Sequence, residues 1–129
     1  QMCIRDRAAR VASKSNIPHA SLISTSGANH NLWAKKWIHP LFYSKTMGEK
    51  EQTILSNYSF KYTSILKPGM LIRHMKKNSI YDKILKITGT GLSVEMLAKA
   101  MINDAENVLL NKRQIKCCTI EGNKSILQI

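Results

Sequence analysis

Three hydroxyl residues in a row, Ser24-Thr25-Ser26, close an apolar run that begins at Leu22-Ile23 and ends at Gly27-Ala28. Tyr43 follows at the mouth of a helix-like stretch, Tyr43-Ser44-Lys45-Thr46-Met47-Gly48-Glu49. A hydroxyl that polarises a carbonyl oxygen and a phenol that hands it a proton are the parts of a general-acid site. An apolar run ending in hydroxyls reads as a strand that delivers them at its carboxyl edge, where open α/β sheets bind ligands. This chemistry needs the strand and the helix as neighbours, so the question passes to the elements that hold them.

Ala8 to Ser15, rich in Ala, Ser and Lys, reads as the last turns of a helix, ended by Asn16-Ile17-Pro18 because a residue before proline avoids helical angles. His19 to Ser24 is a short strand. Gly27 to Pro40 is a loop carrying Trp33, Trp37, His30 and His39, whose indoles are expected to cover the sheet edge. No carboxylate or cysteine accompanies the two histidines to make a metal site. Tyr43 to Asn57 has helical spacing, with Tyr43, Met47, Ile54 and Leu55 on the inner face and Glu49, Lys50, Glu51 and Gln52 outside. Lys61 to Leu66 is a β-branched run stopped by Pro68-Gly69. It is a second strand, parallel to the first if the helix between them is a crossover.

Beyond it, Met70 to Asn78 is basic and irregular, and Ser79 to Ile87 could form a short helix broken by Thr88-Gly89-Thr90-Gly91. Ser93 suits the N-cap of a helix through Glu106, with Val94, Leu97, Ala98, Met101 and Ala105 turned inward. Gln114 to Ile120 alternates like a last strand before a short tail. The stretch Ile87 to Val94 imitates a dinucleotide-binding glycine loop, but its third glycine position is Val94, so a phosphate loop is not expected there.

At 129 residues and 43% hydrophobic, the chain has room for one domain with an ordinary core. Gln1 to Arg7 resembles a translated library adapter and is set aside from the fold, leaving residues 8–129 as the domain. No apolar run approaches the roughly 20 residues of a membrane span. The net charge of +12 invites a polyanion or an anionic membrane. The basic clusters Lys35-Lys36, Arg73-His74-Met75-Lys76-Lys77 and Lys112-Arg113 are short, however, and lack an interleaved aromatic platform, so a nucleic-acid partner is not expected. Cys117 and Cys118 point to opposite faces of a strand and lie at no zinc spacing. They read as reduced structural thiols of a cytoplasmic protein.

Together, Ala8-Ala9-Arg10, Leu22 to Asn29, Tyr43 with Gly48-Glu49, Lys67-Pro68-Gly69-Met70-Leu71 and Leu97 to Met101 resemble a known family. They are similar to the C-terminal half of the Tat-interacting-protein oxidoreductases, an atypical branch of the short-chain dehydrogenases/reductases. The resemblance covers nearly everything from Ala8 onward. It implies an α/β fold, the C-terminal part of a Rossmann-like doubly wound parallel sheet whose N-terminal half is not in these 129 residues. It further implies NADP or NAD as cofactor and a small carbonyl or hydroxyl compound as substrate. By the same resemblance Thr25 matches the catalytic hydroxyl, with Ser24 and Ser26 able to stand in, and Tyr43 matches the acid/base tyrosine. Lys67, Pro68, Gly69 and Met70 match the cofactor-binding strand end that lies against the nicotinamide, where relatives usually carry arginine in place of Lys67.

Two departures from the family pattern shape the expectation. The lysine due four residues after Tyr43 is Met47. A free tyrosine ionises near pH 10, so working at neutral pH asks for about 4 kcal/mol of electrostatic help, and a thioether gives none. Lys45 faces about 200° around the helix from Tyr43, and Lys50 is two turns away. The family's glycine-rich loop, which holds the pyrophosphate at a helix N-terminus, belongs to the half that is not here. The leading expectation is a fragment of an NAD(P)-dependent reductase, impaired at Met47. The alternatives are a non-catalytic relative that binds a protein partner and a basic nucleic-acid-binding module.

Overall fold

The computed structural model describes residues 2–33, 41–72 and 91–129. Trp37, His39, the basic segment after Ile72, the helix expected over Ser79–Ile87 and Thr88-Gly89-Thr90 lie outside them. In chain order the elements are α1 (Met2–Lys14), β1 (His19–Ile23), α2 (Phe42–Asn57), β2 (Tyr62–Lys67), β3 (Met70–Ile72), β4 (Gly91–Ser93), α3 (Val94–Leu109), β5 (Cys117–Glu121) and α4 (Asn123–Ile126).

β1, β2 and β5 form one parallel sheet in that order, and β3 pairs with β4 in a second, also parallel. The protein is therefore mixed α/β, and the expected parallel pairing of the first two strands holds. Ser21 opposes Ser64 and Leu22 opposes Ile65, which fixes the faces because side chains alternate along a strand. Ser24 and Lys67 lie on the side of α2, whereas His19 and Ser64 lie on the side of α3, as their bonds to Glu51 and Asp104 show.

On the α3 side, Leu66 packs with Leu92, Leu97, Ala100 and Ile126, backed by Leu71, Met101, Ile120 and Ile129. Ser93 caps α3 as its sequence position predicts, its hydroxyl accepting from the Met96 amide at 3.2 Å. The inner stripe of α3 runs through Leu97, Ala100, Asp104 and Val108, while Val94 and Ala98, expected inward, are exposed. α1 and α3 both end on an asparagine with positive φ, Asn16 and Asn111. Each is followed by a residue that bonds back into the last turn, Ile17 to Ala12 O and Lys112 to Asn107 O, which is the Schellman arrangement.

α1 starts at Met2 and runs through Arg7 without a break, and the Tyr58 hydroxyl donates to the Asp6 backbone carbonyl at 3.1 Å. Two expectations need correction. Trp33 is exposed rather than laid over the sheet edge. On α2 the buried residues are Met47, Gly48 and Glu51, and Tyr43 and Leu55 face solvent. The helix is rotated so that a carboxylate, not the phenol, points at the sheet.

Gly48 sets how close the loop after β1 can come to α2. A Cβ there would lie 2.3 Å from the His30 backbone nitrogen and 2.4 Å from the Asn29 carbonyl carbon. By helix propensity Gly48→Ala would gain up to about 1 kcal/mol. The collision with backbone outweighs that, and the variant is expected to lose about 1–3 kcal/mol net in urea unfolding.

Candidate functional site

The carboxyl ends of the three parallel strands are stitched together by backbone bonds. The Ser24 amide donates to Leu66 O at 2.8 Å, Ser26 N to Pro68 O at 3.0 Å, and Gly122 N to Lys67 O at 3.0 Å. Thr25 to Ala28 closes a turn whose third residue, Gly27, has φ 76, a conformation that favours glycine. The Glu121 carboxylate accepts from the Ser26 hydroxyl at 3.1 Å and the Gly27 amide at 3.3 Å, and the Gly69 amide donates to Asn123 Oδ1 at 3.0 Å. Ser24, Thr25, Ser26, Lys67, Pro68 and Gly69 are thus brought to one rim, while Met70 is exposed at the start of β3.

Beneath the rim sits a residue that the sequence reading placed outside. Glu51, 9% exposed, accepts the Ser24 hydroxyl on Oε1 and meets Lys67 Nζ at 2.8 Å on Oε2. The same ammonium donates to Ala28 O at 3.3 Å. One carboxylate therefore joins the end of β1, the end of β2 and the loop between β1 and α2. Ser24 and Lys67 are both engaged in holding the rim. Half-buried Thr25 has no side-chain hydrogen bond among the described residues, which leaves its hydroxyl available to a ligand.

Tyr43 stands in the first turn of α2 and is 62% exposed. Its neighbour Ser44 accepts the Asn29 amide at 3.2 Å, so the start of the helix is tied to the loop that carries the hydroxyls. No hydrogen bond links Tyr43 to Thr25 among the described residues. Met47 is buried one turn on, with Lys50 Nζ 3.8 Å from its sulfur.

A second polar cluster lies on the opposite face of the sheet. Asp104 of α3 meets Arg113 Nη1 at 2.8 Å, accepts the fully buried Ser64 hydroxyl, and approaches His19 Nε2 at 3.3 Å. Arg113 also donates to Thr63 O at 3.1 Å and Ile115 O at 3.0 Å. Serine, histidine and aspartate in contact suggest a nucleophilic triad, but here one ring nitrogen, Nε2, faces both Ser64 and Asp104. A triad needs the two ring nitrogens to serve different partners. This cluster anchors α3 and the segment before β5 to the sheet.

An open apolar groove of about 400 Å³ runs along β1, between α1 on one side and Met101 on the other, floored by Ala20 to Ile23. It includes neither Ser24–Ser26 nor Tyr43, so it is separate from the hydroxyl rim. Among the described residues no cluster of histidine, cysteine or carboxylate could hold a metal ion, and no helix is long and apolar enough to cross a membrane. Cys117 is exposed, Cys118 is half-buried, and both are free thiols.

Glu51→Gln leaves the mostly buried Lys67 ammonium without its counter-charge. Breaking a fully buried pair costs about 3–5 kcal/mol, so with some solvent access remaining the loss should be about 1–3 kcal/mol. The double variant Glu51→Gln with Lys67→Met should recover most of it in a urea-unfolding cycle. His19 gives a pH signature. Burial holds its imidazole below the usual 6.5, against the pull of Asp104. The unfolded chain therefore binds the proton more readily, and stability is complete above pH 6.5 and declines as pH falls below it. Unfolding free energy should fall as pH is lowered from 6.5 toward the depressed folded-state pKa, and His19→Gln should flatten part of that fall.

No family model matches the chain, and no curated protein matches it.

Proposed function

We propose that the chain is part of an NAD(P)-dependent reductase-like protein of the short-chain dehydrogenase/reductase kind, with a Rossmann-like sheet and a small carbonyl or hydroxyl compound as substrate. The observation that carries this reading is the rim itself. Parallel strand ends set Ser24-Thr25-Ser26 beside Lys67-Pro68-Gly69, and the helix that carries Tyr43 in its first turn is bonded to the same loop.

The residues fit one end of a dinucleotide better than the other. Gly69, exposed just after β2, has no side chain to fill the space a flat ring would need, while Pro68 beside it is fully buried. No described residues form a glycine-rich loop at a helix N-terminus, so nothing among them would grip a pyrophosphate. When bound, a reduced nicotinamide would supply the hydride. Thr25, with its hydroxyl uncommitted, would donate a hydrogen bond to the carbonyl oxygen, and Tyr43 would give that oxygen its proton. Glu51 and Lys67 would keep the two strand ends in register beneath the reacting groups.

A second reading, a relative that binds a protein partner without catalysis, is favoured by Met47. Its thioether is buried where the family resemblance calls for a lysine beside the phenol. One experiment separates the two: NADPH fluorescence and carbonyl reduction, measured on the gene product with its upstream coding sequence and on its Met47→Lys variant. The reductase reading expects cofactor binding in both and a gain of at least tenfold in turnover with lysine. No binding at millimolar NADPH would remove it. Binding without turnover in either form would leave the non-catalytic relative.

A further inference from the structure

The end of the sheet opposite the hydroxyl rim has a different character. Because β1, β2 and β5 are parallel, the segments leading into them emerge together. They are joined by Tyr62 N to Pro18 O at 2.8 Å, by Thr63 N to Lys116 O at 2.7 Å, and by Arg113, which reaches both Thr63 O and Ile115 O. Lys14, Lys61, Lys112 and Lys116 stand exposed on these segments. Ile17, Leu109, Leu110 and Ile115 accompany them, the last three 72%, 62% and 63% exposed.

The negative charge here is smaller. Asp104 is paired with Arg113. Asp6, whose carboxylate accepts from the neutral Tyr58 phenol, and Glu106, a turn before Leu110, each add one carboxylate. The C-termini of α1, α2 and α3 add about half a negative charge each. Four ammonium groups exceed that sum, and exposed aliphatic side chains lie between them along the chain.

We propose that this rim docks on an anionic phospholipid bilayer, with Leu109, Leu110 and Ile115 entering the interface and the four lysines meeting lipid phosphates. Aliphatic side chains flanked by lysines match the boundary between acyl chains and headgroups. A single-stranded nucleic acid would call for stacking faces beside the cations. The Tyr62 ring at the start of β2 already has the Lys61 ammonium over it at 5.4 Å from the centroid. The inference does not depend on the reductase reading, since the two rims lie at opposite ends of the strands.

The test is flotation of the protein with phosphatidylcholine vesicles, with and without about one-third phosphatidylserine, across a salt series. Binding is expected only with phosphatidylserine and should weaken as salt rises. Each lysine near such a surface is worth about fivefold, so K112E/K116E should lower partitioning at least tenfold. L110S/I115S should lower it with charge unchanged, whereas K99E, on the outer face of α3, should not. Failure to float, equal binding to phosphatidylcholine alone, an equal loss with K99E, or binding to an oligonucleotide but not to vesicles would each overturn the proposal. The salt series on the unaltered protein needs no variant to fold.

Discussion

A single carboxylate with two bonds governs the carboxyl end of the parallel sheet. Glu51 reaches from the middle of α2 to the last residue of β2 and to the hydroxyl just past β1, and so fixes the distance between two strand ends and the helix above them. Removing an ion pair from water costs several kcal/mol per ion, repaid only when geometry and extra hydrogen bonds are good. Here the ammonium has a second acceptor in Ala28 O and the carboxylate has a serine donor. The pair adds little to net stability compared with an apolar substitute. Its contribution is to specify which residues meet.

Asp104 repeats this logic on the other face. It gathers an arginine from the loop before β5, a serine from the central strand and a histidine from the first strand. The sheet is thus held near each end by a charged group on a helix, one per face, with the aliphatic core of Leu66, Leu92, Leu97 and Ile126 on the α3 side between them. No buried side-chain nitrogen or oxygen among the described residues lacks a partner, which is what allows polar groups to sit this deep.

Much of the fold was legible in the sequence because its signals are local. The apolar run ending in Ser24, the β-branched stretch to Leu66, the Ser93 cap and the proline after Ile17 each mark an element by short-range chemistry. What escaped was the rotation of α2 and α3. Hydrophobic spacing assigns acidic residues to the outside, so Glu51 and Asp104 were turned outward or passed over, although each sits at helical spacing from apolar neighbours: Met47 and Ile54, Leu97 and Val108. The partners that pull them inward, Lys67 and Arg113, come from other elements and leave no trace in a helical period. For the candidate site, Ser24 to Ser26 and Lys67 to Gly69 do meet at one rim, as their positions at strand ends imply. The exposure of Tyr43 follows from the rotation of its helix and could not be read from its own surroundings.

The two ionic clusters also constrain how this sequence can drift. A neutralising change at position 51 or 104 alone strands a cation under the sheet. A matching change at 67 or 113 restores balance, so tolerated substitutions should arrive as coupled pairs, each compensating the other across elements that are distant along the chain. Serine positions 24 and 64 complete those sets, which makes the hydroxyls at strand positions as hard to exchange as the charges they touch. A lineage carrying this fold would thus be expected to show covariation between α2 and β2, and between α3 and the loop before β5, more sharply than conservation at any one site.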